Sequence, residues 1–231
     1  MLRRAFVLLV SLPFLPIASA FAQAPAPAPP PATMRVAFFE VGPNDVGRAT
    51  AALKDYRQAT LKASGIVRVN VLQQIDRPNQ FAIEEAWRDA AALDAHKSAA
   101  ETKKLDETIQ ATRISPIDER LLAGVNVAAP NGAIPSQAVY VLTHADSVPD
   151  SRIQASVVLT DLAAKSRQEA GNVMFQIEVQ TNRNNHFTVI EAWRDQKAFD
   201  AHITSENTKK FRDTFGPFLG AWFDDRIYKS L

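Results

Sequence analysis

The chain has 231 residues, 46% of them hydrophobic and 22% charged, with 26 Lys and Arg against 25 Asp and Glu. That length suits one large domain or two of about 100 residues each, and the near-zero charge leaves no basic excess to neutralise phosphates, so nucleic-acid binding is not expected. Cysteine is absent, which excludes disulfides, thiolate metal sites, cysteine nucleophiles and a lipid-modified N-terminal cysteine.

Arg3 and Arg4 precede an apolar run from Ala5 to Ile17, followed by the small residues Ala18, Ser19, Ala20 and Ala22. This order predicts a secretory signal over residues 1–22, cleaved after Ala22. The run is short and broken by Pro13 and Pro16, so no membrane anchor is expected once it is removed. The mature protein is therefore expected in the periplasm or outside the cell. Residues 23–33 are dominated by Ala and Pro; such a stretch prefers extended geometry, cannot bury a core and reads as a linker.

Beyond the linker the sequence repeats itself. Phe81–Asp89 (FAIEEAWRD) returns as Phe187–Asp195 (FTVIEAWRD), Asp94–His96 as Asp200–His202, and Thr102–Lys104 as Thr208–Lys210. Gly65 matches Gly171, Arg77 matches Arg183, and Asp118 with Arg120 match Asp224 with Arg226, all at one constant offset. Residues 34–125 and 140–231 align without a gap at about 25 identities, several times the chance level for unrelated segments. Residues 126–139 form the connector, with Pro130, Asn131, Gly132 and Pro135 as turn formers.

Each copy has one rhythm. Met34–Val41 and Tyr140–Asp146 read as strands; Asp45–Ala63 and Asp150–Ala170 read as helices, the second with an apolar stripe of Ile153, Val157, Val158 and Leu162. Gly65 and Gly171 follow as C-terminal caps. Val67–Ile75 and Val173–Thr181 are strands that turn, through Pro78-Asn79 or Asn184-Asn185, into Phe81–Trp87 or Phe187–Trp193. Asp89 and Asp195 stand as N-caps of short helices carrying Leu93 and His96, or Phe199 and His202. Helices over Lys103–Ile109 and Lys209–Phe215 and strands over Ile117–Leu122 and Trp222–Tyr228 complete each copy. The order β-α-β-β-α-β is ferredoxin-like, an α+β fold with four antiparallel strands and helices on one face. Phe187, Val189, Glu191 and Trp193 share one face of their strand while Ile190 and Ala192 share the other, so both faces are mainly apolar and neither should stay wet. Two such sheets packed back to back would meet that demand, as an internal pseudo-dimer or between two chains.

The residues of the second copy, Phe187–Asp195 with Phe199–His202, then Ser205 to Phe211 and Phe215–Leu219, resemble the antibiotic biosynthesis monooxygenase family, which includes quinol monooxygenases. The resemblance covers both copies and is weaker in the first, where Ser115 and Pro116 stand for Ala221 and Trp222. It implies a dimeric α+β barrel. It also implies oxidation of small aromatic or quinol-like substrates by molecular oxygen, with no metal or other cofactor.

His202 and His96 are the candidate catalytic bases, since imidazole titrates near neutral pH and can take a phenolic proton; the alternative is a structural helix histidine. Trp193, Trp87, Trp222, Phe215 and Phe218 are candidate walls of an aromatic pocket. Glu191 and its counterpart Glu85 fall in phase with the apolar face, as a buried base or as the partner of Arg226 or Arg120. His144 replaces Phe38 of the first copy and marks a diverged pocket. Two functions stand side by side on this evidence, an exported cofactor-independent monooxygenase and a non-catalytic periplasmic module that binds a hydrophobic small molecule.

Overall fold

The computed structural model describes residues 33–231; the expected signal and nearly all of the expected linker lie outside the described residues. Module 1 runs β1 (Thr33–Glu40), α1 (Val46–Thr60), β2 (Ile66–Gln74), β3 (Gln80–Trp87), α2 (Ala90–Lys97), α3 (Ala100–Thr112) and β4 (Asp118–Asn126). Module 2 repeats the series as β5 (Val139–Asp146), α4 (Arg152–Ser166), β6 (Asn172–Gln180), β7 (Arg183–Trp193), α5 (Gln196–Ile203), α6 (Glu206–Phe215) and β8 (Asp224–Ser230).

Local chemistry sets these boundaries. The Asp89 carboxylate accepts from the Ala92 amide, and that of Asp195 from the Ala198 amide, each at 2.8 Å. Each satisfies an otherwise orphaned first-turn donor and launches α2 or α5. Ser205 does the same for α6 through the Thr208 amide. Pro43 and Pro149 open short 3-10 turns ahead of α1 and α4. Gly65 and Gly171 stand several residues beyond the ends of α1 and α4, at the entry to β2 and β6, rather than capping the helices directly. Their φ values are +86° and +88°, and a Cβ on either would sit 2.6 Å from the Cβ of Ala92 or Ala198. Only glycine fits both constraints.

The eight strands form one closed barrel in the order β1-β3-β2-β8-β5-β7-β6-β4. Closure depends on exchange between the modules: β4 pairs with its own β1 and with β6 of module 2, and β8 pairs with β5 and with β2 of module 1. Among the described residues no sheet edge is left open, and the pairing of the two copies is internal to the chain. The two faces of each sheet separate two kinds of core. Met34, Val36, Leu72, Ala86, Leu122, Leu142, Ile190 and Ala192 meet inside the barrel. On the outer face, Leu53, Tyr56, Leu105 and Ile109 pack α1 and α3 onto module 1, and Leu159, Leu162, Phe199 and Phe215 pack the helices of module 2.

Two readings of the sequence are corrected. In α4, Ile153 and Val157 are 65% and 64% exposed, and the buried face is Ala155, Leu159, Leu162, Ala163 and Ser166. Small residues let the helix lie close to the sheet, and of the expected stripe only Leu162 is buried and Val158 half-buried. Asn184 and Asn185 belong to β7, while the turn falls on Thr181 and Asn182; the Asn185 amide donates to the Ser147 carbonyl at 2.7 Å.

Candidate active site

In module 2, β7 places Glu191 and Trp193 on the helix-facing side of the sheet, and α5 brings His202 over them. The His202 ring is buried and stacks on Trp193 with centroids 4.5 Å apart. Its Nδ1 lies 2.9 Å from the carboxylate of Glu169, in the turn after α4. Asn207 donates to the other oxygen of Glu169 at 3.1 Å and to Ser166 at 3.3 Å, fixing that carboxylate. Because a carboxylate only accepts, Nδ1 carries the proton, which leaves the lone pair on Nε2, on the cavity side, where the Thr208 hydroxyl lies 3.4 Å away. Burial holds the pKa of His202 below its ordinary value despite the opposing pull of Glu169, which favours the neutral imidazole.

Glu191 lies on the Nε2 side at 3.7 Å and accepts from the Trp193 indole N–H at 2.7 Å. Burial pushes its pKa up to about 8, outweighing the indole hydrogen bond. Both shifts favour the uncharged forms, an imidazole beside a carboxylic acid. Val141, Phe199, Phe211 and Arg212 line the cavity beside them. Its free volume of about 40 Å³ is little more than one water. Leu162 and Phe211 separate it from a groove of about 320 Å³ between α4 and α6, and both side chains line both spaces.

Module 1 has the same frame, filled by two larger polar side chains. Arg35 stands where module 2 has Val141, and Tyr56 where it has Leu162. Arg35 reaches Glu85 at 3.2 Å, and the Tyr56 hydroxyl also donates to Glu85. His96 Nε2 is engaged by Tyr56 at 3.1 Å and Thr60 at 3.3 Å. Trp87 lies against His96 at a tilt of 38° with centroids 4.7 Å apart, and its indole donates to Glu85. His96 and Trp87 therefore sit in a filled, internally satisfied core rather than beside a pocket.

The remaining sequence candidates disperse. Trp193 backs His202 but is fully buried behind it. Phe215 is fully buried and supports Phe211 and Phe223, with Phe218 edge-on to it at 6.4 Å. Trp222 is 87% exposed, so it cannot wall an enclosed cavity. His144 lies on the opposite face of the sheet, inside the barrel, edge-on to Phe38 at 5.2 Å. The expected pairing of Glu191 or Glu85 with Arg226 or Arg120 is replaced, because strand alternation points both arginines inward, where they hold Asp224 and Asp118 at 2.6 Å. Glu169, Arg35 and Tyr56 were missed by sequence reasoning. Their signal lay in mismatches between the copies: Ala63 against Glu169, Arg35 against Val141, and Tyr56 against Leu162.

A closed eight-stranded barrel, flanked by helices that each cover a Trp–His–Glu cluster, defines a dimeric α+β barrel folded from one chain. The chain belongs to the antibiotic biosynthesis monooxygenase family, which it matches over residues 33–107 and again over 139–214. It is similar in fold to a candidate monooxygenase from Fusobacterium nucleatum subsp. nucleatum ATCC 25586, with a TM-score of 0.80 and 14% identity over 87% of this chain and 93% of that one. A candidate monooxygenase from Lactobacillus acidophilus NCFM gives 0.74 and 12% over 87% and 94%. An anthrone oxidase-like protein gives 0.68 and 14% over 87% and 91%. No curated protein matches the chain.

Proposed function

We propose that this protein is an exported monooxygenase that oxidises a small aromatic or quinol-like compound with molecular oxygen, using the module 2 cavity and no bound cofactor. Family membership supports the reaction class, and the signal-like N-terminus supports export to the periplasm or beyond. The observation that carries the reading is the Glu169–His202 pair, which turns Nε2 toward a cavity lined by Val141, Phe199 and Phe211 together with the polar Glu191 and Arg212. In this reading His202 removes the phenolic proton, and Glu191 donates a hydrogen bond to a second oxygen of the substrate. The electron-rich anion then reacts with oxygen; one oxygen atom is retained in the product and the other leaves as water. The protein's contribution is positioning, deprotonation and exclusion of solvent.

The substrate enters from the outer groove by displacing Phe211, since the inner cavity is far smaller than the ~300 Å³ at which ligand pockets begin. Oxygen uptake with menadiol tests the proposal. His202→Ala should abolish the enzymatic rate, and a folded His96→Ala variant should retain it. Uptake that survives His202→Ala refutes the assignment. A ligand retained in native mass spectrometry with no oxygen consumption by the unaltered protein identifies a binding module instead.

A further inference from the structure

The inner wall of the barrel differs between the modules along one row. Glu178 on β6 pairs with Thr188 on β7, Thr188 with His144 on β5, and His144 with Asp224 on β8. Directly paired residues share a face, and the interior core contains Ile190 and Ala192 of β7 and Tyr140 and Leu142 of β5. Alternation therefore turns Glu178, Thr188 and His144 inward. The matching row in module 1 is Leu72, Ala82 and Phe38, followed by Asp118. Its first three members are part of the apolar interior. The duplicated halves thus keep the terminal carboxylate and differ in three consecutive positions, apolar in one and polar in the other.

The three polar side chains are sealed from solvent. Glu178 and Thr188 are 0% exposed and His144 is 7% exposed. Among the described residues, neither carboxyl oxygen of Glu178, nor Oγ1 of Thr188, nor Nε2 of His144 has a hydrogen-bond partner. Nearby cations are committed elsewhere. Arg68 binds Glu84 and Gln176, while Arg120 and Arg226 hold Asp118 and Asp224 and lie over the Phe38 ring. A buried polar atom without a partner gives up hydration for nothing in return. Carboxyl, hydroxyl and imidazole nitrogen can each donate or accept, which is the mixed demand that water meets.

Spacing and access agree. Paired residues on neighbouring strands have Cβ atoms about 5 Å apart, so the three side chains are immediate neighbours along the row. Nδ1 of His144 is 3.5 Å from Asp224. Asp224 lines a cavity of about 380 Å³ at the barrel mouth, together with Arg226, Tyr228 and Gln74, and Oε1 of Gln74 is likewise without a partner.

We propose that the module 2 wall of the barrel is a built hydration site, in which ordered waters bridge Glu178, Thr188 and His144 and connect through Asp224 to the mouth cavity. A high-resolution crystal structure should show solvent oxygens within hydrogen-bond distance of all three side chains. In solution, water oxygen-17 relaxation dispersion should report long-lived internal waters. That signal should fall in the variant carrying His144→Phe, Glu178→Leu and Thr188→Ala, which installs the module 1 row. Thr188→Val, nearly isosteric, gives a smaller loss and serves if the triple variant does not fold. Direct pairing of the three side chains with one another, a dry interior, or a dispersion signal unchanged in these variants overturns the proposal.

Discussion

Replacing Glu191 by Gln should make folding stability less dependent on pH, by an amount set by the environment of that carboxyl. Its pKa rises from 4.5 to about 8 on folding because burial penalises the charged form. For an acid shifted upward, the stabilising contribution is complete below the unfolded value and is lost as pH rises through the folded one. Ionisation of the unfolded chain thus lowers stability by under about 1 kcal/mol at pH 5 and by about 4 kcal/mol at pH 8. Glu191→Gln keeps the shape and cannot ionise. Its stability relative to the unaltered protein should therefore climb by about 3 kcal/mol between pH 5 and pH 8. Other titrating groups, Glu178 and His144 among them, are present in both proteins and largely cancel. Urea unfolding of the two proteins at several pH values measures the difference. Parallel stability profiles would show that Glu191 is ionised in the folded protein and refute the acid–base pairing drawn for the cavity.

Glu169→Ala should lower kcat for menadiol oxidation at least tenfold and reshape the pH–rate profile, because Nδ1 of His202 loses its acceptor; Glu169→Asp should recover part of the rate. Phe211→Ala should lower KM for the bulkier of two quinols by joining cavity and groove, measured by steady-state oxygen uptake. Gly171→Ala should lower stability by roughly 2 kcal/mol or more in thermal unfolding, since a side chain there combines positive φ with a clash against Ala198.

The fold was legible because it is written twice. The constant offset between copies fixed the element order, and the apolar runs on both faces of β7 called for a partner sheet. What the repeat could not reveal was the exchange of β4 and β8 between modules, because strand pairing across the boundary leaves no local periodicity. The site was legible only in part. His202 and Glu191 stood out as repeated polar residues on apolar elements, yet the repeat gave His96 and Glu85 equal standing. The difference lies in Arg35 and Tyr56, whose side chains fill one cluster from β1 and α1, and in Glu169, which completes the other. Trp222 misled because aromatic character says nothing about direction. It lies in the segment between α6 and β8, where no strand alternation fixes which way a side chain points.

Where Phe38 meets His144 near the middle of the barrel, an aromatic ring from one half faces an imidazole from the other. Two identical chains related by a dyad could only set phenylalanine against phenylalanine there, or histidine against histidine. Joining the halves covalently lifts that restriction. Each position can then be tuned without altering its mate, and one lobe can be packed solid as a buttress while the other keeps a hollow for chemistry.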